Sequence, residues 1–127
     1  MKKLIWLACF GLVGCSAVDT TFNASPQAIV EKRAVERWQA LIRSDVDAAY
    51  KYLTPALRNT MSLERYREKV KPGLWRDAKV KSVECQADKC KAKVVVQYDI
   101  RDLKGLEKEF EETWLKESDN WWYVWKD

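Results

Sequence analysis

The chain has 127 residues, with 23 lysines and arginines against 19 acidic side chains. That length holds one domain with a real core, but not two. A formal charge of +4 without a basic stripe between aromatics excludes an electrostatic nucleic-acid binder. In chain order, Met1-Lys2-Lys3 comes first, followed by an apolar run from Leu4 to Val13. About ten residues suit the hydrophobic core of a signal peptide and are too few to cross a bilayer as a helix.

Leu12-Val13-Gly14-Cys15 resembles the lipobox of bacterial lipoproteins. The resemblance implies cleavage before Cys15 and acylation of its thiol and new amine. Membrane lipid is then the first partner, and several acyl chains hold a protein stably where one does not. Ser16 stands where an aspartate would resemble an inner-membrane retention signal, so the implied location is the periplasmic face of the outer membrane. The expected organisation is a signal peptide over 1–14, a lipidated tether over 15–25 and one folded domain over 26–127. Loss of 1–14 removes Lys2, Lys3 and Trp6, leaving 21 basic against 19 acidic residues and six tryptophans.

Ser25-Pro26 opens a first helix, with a hydroxyl cap and proline in its first turn. The helix is predicted to run to about Arg43, with Val30, Ala34, Trp38, Leu41 and Ile42 inward and Glu31, Arg33, Glu36 and Arg37 outward. Ser44 and Asp45 interrupt it. A second helix is expected over Val46–Leu53, Thr54-Pro55 opens a further turn, and Ser62 caps a helix through about Val70. Lys71-Pro72-Gly73 ends the helical half.

The period then changes to two. Cys90, Ala92, Val94, Val96, Tyr98 and Ile100 alternate with Lys91, Lys93, Val95, Gln97, Asp99 and Arg101, the cleanest strand signal in the chain. Val80–Cys85 is the expected hairpin partner. Asp102 to Gly105 is read as a turn, Glu107–Glu117 as the next strand, and Trp121–Trp125 as the last. Cys85 and Cys90 face each other across the first hairpin, and a disulfide there stabilises by about 2 kcal/mol on the loop-entropy estimate. Two thiols without histidine make a poor metal site, and the spacing is not that of a redox pair. Helices followed by an antiparallel meander describe an α+β domain with helices packed on one sheet face.

Arg37-Trp38-Gln39-Ala40-Leu41-Ile42, Asp45-Val46-Asp47-Ala48-Ala49-Tyr50 with Leu53-Thr54-Pro55, and Trp114 with Trp121-Trp122-Tyr123-Val124 resemble the nuclear transport factor 2-like superfamily. This is the cone-shaped fold of ketosteroid isomerase and scytalone dehydratase, and the resemblance spans about 26–127. It implies a curved sheet with a cavity in the cone. Trp38, Val94, Val96, Tyr98, Phe110, Glu112 and Trp114 are the candidate lining. The superfamily's fold says little of function.

With no histidine, the histidine–carboxylate chemistry of its enzymes is excluded. Glu112 remains, on the strand face of Phe110 and Trp114, where desolvation would raise its pKa; pairing with a lysine is the structural alternative. Asp99 is weaker, lying opposite Tyr98. On the last strand, Trp121, Tyr123 and Trp125 are expected as an exposed interaction surface and Trp122 as core. The expected function is a non-catalytic binding or assembly module without cofactor or metal. Its candidate partners are a protein, a small apolar ligand or a second copy of the chain. The alternative is a small-molecule lyase or isomerase using the pocket carboxylate.

Overall fold

Each helix starts on a side chain that accepts from an otherwise unpaired amide. Ser25 Oγ accepts from Ala28 N at 3.2 Å, Asp45 Oδ1 from Ala48 N at 3.2 Å, Thr54 Oγ1 from Leu57 N at 3.3 Å, and Ser62 Oγ from Arg65 N at 3.2 Å. Such caps contribute about 1 kcal/mol each. They open α1 (Pro26–Ile42), α2 (Val46–Tyr50), α3 (Pro55–Thr60) and α4 (Leu63–Val70). The computed structural model describes residues 24–126, so Cys15, the lipobox-like stretch before it and most of the expected tether lie outside the described residues.

Val30, Ala34, Trp38 and Leu41 are buried along α1, as the apolar period predicts. Arg37 is a correction: it is 2% exposed, on the inner face. Also, α2 stops at Tyr50, short of the expected Leu53, because the following residues turn to meet the last strand. Tyr123 N donates to Tyr52 O at 2.7 Å, and Thr54 N donates to Tyr123 O at 3.1 Å. At the end of α4, Lys71 takes a left-handed conformation (φ 49°).

Four antiparallel strands follow in meander order: β1 (Trp75–Gln86), β2 (Lys89–Ile100), β3 (Leu103–Glu117) and β4 (Asn120–Val124). β1 begins five residues before the expected Val80. Register shifts between Trp75 and Asp77 and between Val80 and Ser82 break its alternation, which hides the strand from a period-two reading. The second hairpin also turns earlier than expected. Ile100 pairs with Leu103 around Arg101-Asp102, and Gly105 sits inside β3 rather than in the turn. Its positive φ of 66° suits glycine there, and its N–H donates to Asp99 Oδ1 at 2.8 Å.

Cys90, Ala92, Val94 and Val96 of β2 are fully buried beneath α1, beside Trp114 of β3. Cys85 and Cys90 are register partners joined by a disulfide, with Cα atoms 4.0 Å apart. Among the described residues, no helix is long and apolar enough to cross a membrane. The domain is α+β, with its helices on one face of an open antiparallel sheet.

Candidate functional site

A cavity of about 350 Å³ opens between α1, the end of α4, the start of β1 and the β3–β4 pair. Its aromatic wall comes from three elements: Trp38 of α1, Trp75 of β1 and Phe110 of β3. Trp38 meets Trp75 edge-on at 5.4 Å between ring centroids, Trp38 lies 5.7 Å from Phe110, and Trp75 lies 6.0 Å from Phe110. Trp75 is anchored by its indole N–H, which donates to Val70 O at 2.9 Å. Trp125 extends the lining on the opposite side, 5.6 Å edge-on from Tyr66. The volume falls within the range of small-molecule sites, about 300–1,000 Å³.

At the wall of this cavity lies a buried ion pair. Arg37 Nη1 donates to Glu112 Oε2 at 2.9 Å, and both side chains are 2% exposed. Trp38 Nε1 donates to the same oxygen at 2.7 Å, and Trp114 Nε1 donates to Oε1 at 3.2 Å. The guanidinium carbon of Arg37 lies 3.7 Å from the centroid of the Tyr123 ring. Burial opposes the Arg37 charge, but Tyr123 and Glu112 outweigh it and hold its pKa above the ordinary arginine value. Burial pushes the Tyr123 phenol up to about 12 and raises that of Tyr66 as well. Arg37 Nε and Tyr66 Oη are buried and, among the described residues, make no well-aligned hydrogen bond, although the two side chains interact with each other.

Glu112 is thus a paired carboxylate with three donors, one guanidinium and two indoles, and not the unpaired, desolvated carboxyl that the catalytic alternative requires. The pairing alternative held in kind, but its cation is Arg37 of α1 rather than a lysine on a neighbouring strand. Of the other candidate lining residues, Trp38 and Phe110 do border the cavity. Val94, Val96 and Trp114 do not: they are fully buried in the core. Tyr98 packs on Trp75 at 6.0 Å, away from the cavity. Asp99 is a hairpin residue. The Gly105 N–H and the Arg76 guanidinium hold its carboxyl below the usual range.

The last strand reverses the expected assignment. Trp121 is 3% exposed, and Tyr123 and Trp125 pack against the core, so these three do not form an exposed surface. Trp122, Tyr123 and Trp125 are all half-buried, but Trp122 is the one not packed on the core, lying instead under Arg33 at 5.3 Å and Arg58 at 5.2 Å. Alternation along a strand separates two sets of side chains but does not say which set meets the helices. Here the Arg37–Tyr123 and Tyr66–Trp125 contacts decide it.

Also on the cavity border are Arg37, expected outward, and, without a signal in period or motif, Trp75 and Lys69, Lys71, Lys108 and Lys126, the lysines coming from α4, its C-cap, β3 and the segment after β4. Arg37 stands seven residues after Val30 and four before Leu41, on the core stripe itself. Its spacing was the available signal. No group of three metal-type ligands occurs among the described residues.

No family model matches the chain, and no curated protein matches it. Solved structures do. A candidate NTF2-like transpeptidase from Campylobacter jejuni superposes with a TM-score of 0.60 at 14% identity, covering 76% of this chain and 98% of that one. A SEC-C motif containing protein from Psychrobacter arcticus gives 0.64 at 13% identity, with 81% of this chain and 63% of that one covered. Another, from Rhodopseudomonas palustris, gives 0.51 at 15%, with 69% of each chain covered. At these identities the likeness concerns fold alone, and the chain has the α+β fold of nuclear transport factor 2-like structures.

Proposed function

We propose that the protein is a lipid-anchored, periplasm-facing lipoprotein whose domain binds a small apolar body in its cavity without transforming it. One observation carries the binding part: the cavity is walled by Trp38, Trp75, Phe110 and Trp125, while its one buried carboxylate, Glu112, is engaged by Arg37, Trp38 and Trp114. A general base must reach and accept a substrate proton at a pKa near the working pH. A carboxylate bonded to a guanidinium and two indoles is poorly placed for that, which weighs against the lyase or isomerase reading. The anchoring part rests on the likeness of Leu12-Val13-Gly14-Cys15 to a lipobox.

Titration with N-phenyl-1-naphthylamine, an uncharged dye that brightens in apolar surroundings, tests the cavity. Saturable binding to one site, weakened by Trp75→Ala, is the expected result. A linear, unsaturable response from folded protein would overturn the binding reading.

A further inference from the structure

Around the cavity mouth the charges are not balanced. Lys71, Lys108 and Lys126 carry the excess, with Lys69 beside them on the border, and the acids there are Glu111 and Glu112, of which Glu112 is already neutralised by Arg37. The lysines come from four separate places in the fold: the last turn of α4, its left-handed cap, the middle of β3 and the residue after Trp125. Lys108 shares the inner face of the sheet with its register partner Val96, and its ammonium stands 5.0 Å from the Phe110 centroid. It therefore leans over the aromatic wall.

Like charges converging on an apolar opening repel one another, and low-dielectric walls strengthen that field. An anion at the mouth relieves the repulsion, while its apolar body covers the rings. A cationic ligand is repelled by the same field, and a neutral one leaves it unanswered.

Building on the binding reading above, we propose that the cavity selects a small organic anion: a carboxylate or sulfonate head held by the lysine rim, with a flat or chain-like apolar body against Trp38, Trp75 and Phe110. The head is assigned to the rim rather than to Arg37 because that guanidinium is held by Glu112.

Two dyes with the same aromatic body separate the claims: N-phenyl-1-naphthylamine, which is neutral, and 1-anilinonaphthalene-8-sulfonate, which carries a sulfonate. On apolarity alone the neutral dye binds more tightly. The expected result is the reverse, with the sulfonate displacing the neutral dye from one shared site. Replacing the exposed rim residues together (Lys71→Gln, Lys108→Gln, Lys126→Gln) should weaken the sulfonate about ten-fold or more and leave the neutral dye unchanged. Raising salt from about 0.02 to 0.5 M should act in the same direction, because exposed charges are screened. A melting temperature close to wild type shows that the triple variant is folded. Equal or tighter binding of the neutral dye, or sulfonate binding that neither displaces it nor responds to the triple variant, overturns anion selection while leaving the cavity reading intact. Failure of both dyes to bind overturns the cavity reading itself.

Discussion

At Arg37 the chain places a full positive charge at a core position, and Glu112, Trp38, Trp114 and Tyr123 make that tolerable. Removing one member of such a pair leaves the other charge buried, which costs about 3–5 kcal/mol. Arg37→Met and Glu112→Gln should each destabilise on that scale. The double variant should fall well short of the sum, because neither charge is then stranded. Urea unfolding of the four proteins measures this, and strict additivity would show that the pair is not energetically coupled. The neighbouring Tyr123 gives a pH prediction. Its folded pKa, raised by burial to about 12, exceeds the free phenol value of about 10, so its contribution is complete below pH 10. Between roughly pH 10 and 12 the unfolded chain releases the proton first, and stability falls. Tyr123→Phe should flatten part of that alkaline decline in melts taken from pH 8 to 12. The identity of Glu112 as the buried acid was legible from its strand face. Its partner was not, because Arg37 lies 75 residues away and charge alone suggests an outward position.

Among the elements, the four helix starts were legible because each carries its capping side chain, and β2 because Cys90, Ala92, Val94 and Val96 alternate inward, although the pattern ends before Ile100, which a register shift leaves exposed. The first part of β1 was hidden by two register shifts, and the β2–β3 turn by Gly105, a turn residue lodged within a strand. In β4 the alternating rings were visible, but their inner and outer sets were interchanged. The corrected assignment is testable: Trp121→Ala should cost about 3–5 kcal/mol, the usual range for a buried tryptophan. Trp122→Ala should cost clearly less, because two arginine–ring contacts at a half-buried site contribute about 0.5–1 kcal/mol each. Thermal melts of the two variants rank them. If Trp122→Ala proves the more damaging, the inward set has been misassigned.

On the scale of the whole molecule, the tether and the domain have separate tasks under the proposed function. Cys15→Ala should abolish incorporation of a clickable fatty acid and leave precursor or unanchored protein, without altering the melting temperature of the domain. Label that persists in the variant would rule out Cys15 as the attachment point. The backbone bonds between the Tyr52–Thr54 segment and Tyr123 have a further consequence, for association. A terminal strand ordinarily presents unpaired amides and carbonyls on which another chain can continue the sheet, the usual route to edge-to-edge aggregation. On β4 the amide and carbonyl of Tyr123 are already taken by the protein's own connecting segment. On the far side, β1 bears two irregularities and the charges of Lys79 and Lys81, features that discourage regular pairing. Under the proposed anchoring, copies brought together on one leaflet would find both sheet margins guarded, which favours contact through side-chain surfaces over a shared sheet.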